Sequence, residues 1–200
     1  DKRAGPSEVE VIADESANPA FIAADFLSQA EHGVDSQAML VTASESIVEP
    51  VMQAIREQLD RLPRKEITEK SLSHSRLIVL KDKQEVIDFT NLYAPEHLII
   101  QTTDYADIAG QVENAGSVFM GPYTPESAGD YASGTNHTLP TNGYAKAYSG
   151  VNLDSFIKKI TFQEITADGI RLLGGTIRTM AANEQLDAHK NAVTIRLNTL

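Results

Sequence analysis

The sequence predicts an α/β fold, in which a mainly parallel sheet with flanking helices is followed by a C-terminal helical appendage. Up to Met120, short apolar runs of strand length alternate with segments of helical periodicity, and this alternation is typical of a parallel sheet. After residue 151 the pattern is helical. We therefore divide the chain into an α/β domain over residues 1–151 and a helical tail over residues 152–200.

Five apolar runs predict the strands. They cover residues 9–13, 39–42, 77–80, 98–100 and 118–120. The third run, with the sequence Leu-Ile-Val-Leu, is predicted to be a buried strand because it is continuously aliphatic.

The helices are predicted from their end signals. Asn18 is a good N-cap, Pro19 suits the first helical position, and Gly33 suits a left-handed terminator. Ser46 and Glu49 form the pattern of a capping box, which predicts a second helix running towards residue 62. Residues 83–93 suit a third helix, which ends before a proline.

Residues 121–150 show no sustained periodicity and are rich in glycine and proline. A segment of this length without regular structure is uncommon in compact domains unless it forms a site. In the helical tail, Gly174 and Gly175 predict a weak point, and Asn183 is a candidate N-cap for a last helix. The tail is too short to bury a core alone, so we expect it to pack against the sheet domain or against another subunit.

Composition excludes several classes of function. The formal net charge of -11 and the lack of a basic stripe argue against nucleic acid as a partner. No apolar run approaches the length of a membrane span, and no secretory leader is expected from the opening residues, so we expect a soluble protein. The chain has no cysteine, which fits a reducing compartment and leaves imidazole, carboxylate and amide groups as the available metal ligands.

Two short patterns place polar groups near element ends. Gln29 and His32 lie three residues apart in the last turn of the first helix, so their side chains project from neighbouring positions. A purely structural interpretation is also open, in which Gln29 is a hydrogen-bonded amide at the edge of the core and His32 is a favourable cation at the helix C-terminus. Glu96 and His97 form a natural acid/base pair at the start of a strand. Because consecutive strand residues point to opposite faces, both can reach one substrate only if the backbone bends there.

Other candidates are less specific. Asp130 and His137 lie in the long glycine-rich segment, where turn chemistry is an equally good interpretation. Glu184 and His189 are predicted to lie on the final helix, five residues apart, where a solvated face is the simpler interpretation.

Four segments resemble the histidinol dehydrogenase family. They are Ala-Gly-Pro-Ser-Glu at residues 4–8, Asp-Phe-Leu-Ser-Gln-Ala-Glu-His-Gly at 25–33, Tyr-Ala-Pro-Glu-His-Leu at 93–98 and Gly-Thr-Asn-His-Thr-Leu-Pro at 134–140. They occur in family order, and the similarity runs through essentially the whole chain. The chain resembles the C-terminal part of this enzyme, and the predicted sheet would then be an incomplete Rossmann-like one.

The resemblance implies roles for individual residues. Zinc would be bound by Gln29, His32 and Asp130, together with His189 contributed by the other subunit of a homodimer. Glu96 and His97 would be the catalytic acid/base pair. The residues implied to contact substrate are Ser7, Gln29, His32, Glu96, His97, Asp130, His137, Glu184 and His189.

The implied reaction is the oxidation of L-histidinol through the aldehyde to L-histidine, the last steps of histidine biosynthesis. It uses zinc and two successive NAD-dependent hydride transfers in a cytoplasmic enzyme. The family's upstream half, which carries much of the NAD-binding surface, is absent from this sequence. We therefore expect the 200-residue chain alone to be inactive, and measurable NADH production from histidinol by this chain would contradict that expectation.

Two alternative functions stay open. A zinc hydrolase could use the same metal and Glu-His pair to activate water against an amide. A non-catalytic dimerisation module could use zinc only to staple the C-terminal helix to a neighbouring subunit.

Overall fold

The computed structural model describes residues 5–200. The first four residues lie outside the described part of the chain; the expectation of no leader and the start of the first family-like segment depend on them. The chain divides into two compact units, Asp1–Ile157 and Lys158–Leu200, whereas the sequence places this division after residue 151.

The first unit is built on a five-stranded, wholly parallel sheet with the order β3-β2-β1-β4-β5. The strands are β1 Glu8–Ala13, β2 Gln37–Thr42, β3 Arg76–Val79, β4 His97–Gln101 and β5 Ser117–Met120. This confirms the predicted α/β fold. The sheet is parallel because a helical segment joins each strand to the next and returns the chain to the starting edge.

Eight α-helices accompany the strands within the described residues. They are α1 Pro19–Ala30, α2 Val48–Leu59, α3 Lys65–Leu72, α4 Lys83–Tyr93, α5 Tyr105–Ala109, α6 Glu126–Tyr131, α7 Ala167–Asn183 and α8 Asp187–Leu197. Short 3-10 helices occur at Glu45–Ile47, Tyr144–Lys146 and Leu153–Phe156. In the described part of the chain, no helix has the length and apolarity needed to cross a membrane.

The core lies on both faces of the sheet. The central strands β1, β2 and β4 are almost fully buried, as expected for strands covered by helices on both sides. One cluster forms between the sheet and the first two helices, and it includes Ile22, Phe26 and Leu40. The other cluster lies on the opposite face and includes Ile12, Val86 and Leu98. Burial of these side chains supplies most of the stabilisation of this unit.

Several local predictions are wrong. The first helix ends at Ala30, its C-cap Glu31 is right-handed, and Gly33 does not have a positive φ, so Gly33 is not a left-handed terminator. No side-chain cap forms at the start of the second helix, because Ser46 lies inside the preceding 3-10 helix, and its hydroxyl contacts that of Ser44. The third strand is only partly buried because it lies at the margin of the sheet within the described residues.

Helices were also missed or misplaced. The structure has α3, which the sequence did not predict, and α6, which lies inside the segment predicted to lack regular structure. In the tail, α7 passes through Gly174 without a break, and Asn183 is its last residue. The next residue, Glu184, caps the C-terminus of α7, so it does not lie on the final helix as predicted.

The second unit is a helical hairpin in which α7 and α8 pack against each other, with Gly174 of α7 close to Leu197 of α8. It buries few side chains and exposes apolar ones, including Leu172 and Ile195. A role for this unit in dimer contact stays a prediction.

Candidate active site

The candidate site lies at the amino ends of β1 and β4. These two strands are adjacent, and Val9 of β1 is paired with His97 of β4. Ser7 and Glu8 lead into β1, while Glu96 leads into β4. Ligands of open parallel sheets more often bind beyond the carboxyl ends of the strands. Here the polar side chains gather at the opposite edge, where α1 also returns the chain.

A backbone bend lets Glu96 and His97 act together. Ala94 ends α4 with a φ of 58°, a left-handed conformation that is uncommon outside glycine. The turn through Pro95 keeps Glu96 outside the strand, so the alternation of strand faces does not separate it from the first strand residue, His97. The His97 Nδ1 atom lies 3.6 Å from Glu96 Oε2.

The Glu96 carboxylate is anchored by two donors. The Ser7 hydroxyl donates to Oε2 at 2.6 Å, and the backbone N–H of Glu8 donates to the same oxygen at 3.0 Å. Burial raises the pKa of Glu96, while these hydrogen bonds and nearby His32 oppose the increase. A carboxylate whose pKa is raised towards neutrality is better suited to act as a general base.

The His97 imidazole has one anchored and one free nitrogen. Its Nδ1 lies 3.1 Å from the backbone oxygen of Glu8, which is an acceptor only, so Nδ1 carries the proton. Its Nε2 is buried and has no hydrogen-bond partner within residues 5–200. Burial lowers the pKa of His97 and thereby favours the neutral ring. The result is an oriented imidazole whose Nε2 lone pair can accept a proton.

The last turn of α1 contributes Gln29 and His32. Gln29 is fully buried, whereas His32 is exposed. With its amide nitrogen facing Glu126, Gln29 donates to Glu126 Oε1 at 2.9 Å and to Oε2 at 3.2 Å. The amide therefore lies within the polar cluster and is not merely at the edge of the core.

Helix α6 brings Glu126 and Asp130 to the same place. Burial raises the pKa of Glu126 to about 9, and the charges of Asp130, Glu96 and Asp25 contribute to the increase. Asp130 is half-buried and close enough to affect the pKa of both Glu96 and His97. The sequence analysis missed Glu126 because it missed α6. The available signal was the four-residue spacing of two carboxylates, which places both on one helix face.

The cluster has the donor chemistry of a divalent-metal site. His32, Glu126 and Asp130 each offer one ligand atom, and these atoms all lie within 4.8 Å of one another. Gln29 joins the group through its contact with Glu126. Imidazole nitrogen together with carboxylate and amide oxygen suits zinc, so these residues fit the implied metal.

The structure thus gathers Ser7, Gln29, His32, Glu96, His97 and Asp130 in the first unit. His137 is also in this unit, exposed on the segment after α6. Glu184 and His189 are both exposed in the second unit, on α7's C-cap and on α8. Their predicted roles in substrate and metal binding stay predictions.

Comparison with known proteins identifies the family. A family model described as histidinol dehydrogenase matches residues 1–197. The chain is 68% identical over 200 residues to histidinol dehydrogenase of Bacteroides thetaiotaomicron, covering all of the chain and 47% of that protein. It is 58% identical over 201 aligned positions to the chloroplastic histidinol dehydrogenase of Arabidopsis thaliana, covering 43% of that protein.

A solved structure is similar over the whole chain. The crystal structure of histidinol dehydrogenase from Elizabethkingia anophelis matches with a TM-score of 0.95 and 57% identity, covering 100% of this chain and 46% of that one. The chain spans about half the length of the curated relatives it matches and corresponds to their C-terminal part. The family model, which matches residues 1–197, and these relatives, which match the whole chain, show that it belongs to the histidinol dehydrogenase family.

Proposed function

We propose that this chain is the C-terminal portion of a zinc- and NAD-dependent histidinol dehydrogenase that oxidises L-histidinol to L-histidine through the aldehyde. The observation that carries the proposal is the buried His97 Nε2, which lacks a hydrogen-bond partner within the described residues and belongs to a ring oriented beside anchored Glu96. An unpartnered buried nitrogen is costly in a purely structural role and is explained by a substrate proton.

In the first oxidation, His97 Nε2 accepts the hydroxyl proton of the alcohol while the carbinol carbon transfers a hydride to NAD⁺. The products are the aldehyde, NADH and one proton held on the imidazole. The hydrogen bond from Nδ1 to the Glu8 carbonyl oxygen keeps the ring in the required tautomer. Because burial lowers the pKa of His97, the ring is neutral and ready to accept this proton.

In the second oxidation, Glu96 removes a proton from the water that adds to the aldehyde carbon. The resulting hydrate anion then transfers a hydride to a second NAD⁺ and becomes the carboxylic acid, which releases its remaining proton to solvent to give the carboxylate. Ser7 and the Glu8 N–H both hold Oε2 of Glu96, which fixes the carboxylate for this step. We assign most of the NAD-binding surface to the part of the enzyme upstream of this chain.

Gln29, His32 and Asp130 would hold zinc, together with His189 of the partner subunit. Zinc would supply positioning of the substrate's imidazole and amine. The proximity of the His32, Glu126 and Asp130 ligand atoms supports this assignment. Glu184 and His189, which are exposed on the helical unit, are assigned to the site of the other subunit in a homodimer. His137 is assigned to substrate binding.

The test is Glu96→Gln in the full-length enzyme. Loss of general-base catalysis predicts a decrease in acid formation of about 10² to 10⁴-fold. Zinc content should be unchanged, because Gln keeps an acceptor for Ser7. The matched control is Glu113→Gln, which changes an exposed carboxylate and should leave turnover unchanged.

The same assay separates the alternative functions. A hydrolase would turn over its substrate without NAD. A dimerisation module held together by zinc would keep its function in Glu96→Gln. Full activity in Glu96→Gln, or loss of activity that simply follows loss of zinc, would contradict the proposed role of Glu96.

A further inference from the structure

The Glu126 carboxyl lies directly against the side-chain amide of Gln29. Glu126 is 2% exposed and Gln29 is 0% exposed, so water does not compete for this contact. One amide atom lies 2.9 Å from Glu126 Oε1 and 3.2 Å from Oε2, and the other lies 3.0 Å from Ser7 Oγ. The two ends of the amide therefore have different neighbours, and its orientation has chemical consequences.

The contacts favour the orientation in which the amide nitrogen faces Glu126. When Glu126 is ionised, as a neighbouring divalent cation favours, an amide N–H can be shared between both carboxyl oxygens, whereas an amide oxygen would face two acceptors. A buried hydrogen bond to a carboxylate is also one of the stronger kinds of hydrogen bond. Glu126 thus holds the nitrogen end of Gln29.

Holding the nitrogen determines where the oxygen is presented. The oxygen lies on the Ser7 side, where the single hydroxyl proton of Ser7 is already donated to Glu96 Oε2 at 2.6 Å. Even when the Ser7 hydroxyl at 3.0 Å also donates to it, the Gln29 oxygen keeps a lone pair for another partner. Amide oxygen is a ligand for divalent cations, whereas the amide nitrogen is not.

We propose that Glu126 is a positioning residue that presents the Gln29 oxygen to the metal by accepting hydrogen bonds from the Gln29 amide nitrogen. This inference rests on the proposed function, because it takes Gln29 as a zinc ligand. In this role Glu126 acts through the Gln29 amide, against which both of its oxygens lie, whereas direct binding of the metal by Glu126, whose carboxyl also lies near His32 and Asp130, is the competing outcome of the test. Partners of this kind orient metal ligands, and their loss commonly weakens metal binding by about 10- to 100-fold. We expect a loss of zinc affinity of the same order when Glu126 is removed.

The experiment is a double-mutant cycle in the full-length enzyme, with zinc affinity measured by chelator competition. The variants are Gln29→Ala, Glu126→Ala and the double variant. Each single variant should weaken zinc binding, Glu126→Ala by about 10- to 100-fold. The double variant should bind zinc no more weakly than Gln29→Ala, because the effect of Glu126 passes through Gln29.

Two further variants separate positioning from packing. Glu126→Met fills the volume without an oxygen and should weaken zinc binding as Glu126→Ala does. Glu126→Gln keeps an acceptor for the amide and should bind zinc within about threefold of the wild type. Unfolding of the metal-free proteins provides a measure of packing that is independent of zinc.

The inference is overturned if the losses of the two single variants add in the double variant, because Glu126 would then bind the metal directly. It is also overturned if Glu126→Ala leaves zinc affinity unchanged or increases it, because the opposite amide orientation would then hold. If Gln29→Ala binds zinc like the wild type, Gln29 is not a zinc ligand and the metal site of the proposed function is wrong as well. If Gln29→Ala weakens zinc binding and Glu126→Ala does not, only the positioning role of Glu126 is contradicted.

Discussion

A buried carboxyl in the sheet makes the stability of the first unit depend on pH. Glu10 lies in the middle of β1 and is 0% exposed. Its Oε1 accepts a hydrogen bond from the Thr90 hydroxyl, and its Oε2 has no partner in the described part of the chain. Burial raises the pKa of Glu10 from 4.5 to about 8, the Thr90 hydrogen bond opposes the rise, and the charge of Glu8 adds to it.

The sign of the effect follows from proton binding. Between these two pKa values the unfolded chain has lost the Glu10 proton while the folded chain retains it. The free energy of unfolding therefore falls with increasing pH by about 1.4 kcal/mol per pH unit. Across the interval from 4.5 to about 8 the loss amounts to about 5 kcal/mol, and it becomes constant above the folded-state pKa.

The perturbation is Glu10→Gln, which cannot ionise and keeps an oxygen for Thr90. Chemical denaturation of the full-length protein at pH 5 and pH 8.5 measures the free energy of unfolding of wild type and variant. At pH 5 the variant should be less stable by about 1–3 kcal/mol, because its buried amide has two N–H donors without an acceptor, whereas the protonated wild-type carboxyl has one O–H. At pH 8.5 this order should reverse, since only the wild type has to ionise a buried group.

Glu57→Gln is the matched control, because it removes an exposed carboxylate. Its stability should follow that of the wild type at both pH values. Parallel pH dependences of wild type and Glu10→Gln would refute the reasoning, because they would show that burial of Glu10 does not retain its proton.

Two further predictions concern the site. In Gly116→Ala the added Cβ would collide with the backbone carbonyl oxygen of Glu96 and displace that residue. We therefore expect turnover to fall by about 10²-fold while the zinc content is retained. Turnover at the wild-type rate would contradict this. Gly175→Ala is its control, because apart from the neighbouring residues and backbone of its own helix no atom lies within 4 Å of the added Cβ. If His189 serves the partner's site, co-expressed His32→Ala and His189→Ala subunits should recover about a quarter of the wild-type activity, whereas each variant alone is inactive. No recovery would place both residues in a site within one subunit.

The sequence predicted the strands better than the helix ends. Central strands are nearly continuous apolar runs because both of their faces are covered, and this signal is local. Asn18 was likewise predicted correctly, since its side chain caps Ala20 N two residues away. Gly33 and Ser46 were wrong because a residue type permits a capping conformation without requiring it. Helix α6 was missed because its few residues, including Gly129, pack against Phe119 and are stabilised by that tertiary contact.

By itself the sequence determined the α/β class, the succession of the strands along the chain and the resemblance from which the site residues were named, because these depend on residue type and spacing. Only the tertiary structure decided that the site forms at the amino edge of the sheet and that Glu126 belongs to it. The bend at Ala94, the Nδ1 contact of His97 and the amide contact of Gln29 join residues distant in the chain. Orientation of a proton-accepting nitrogen or a ligand oxygen depends on such contacts, which no local pattern encodes.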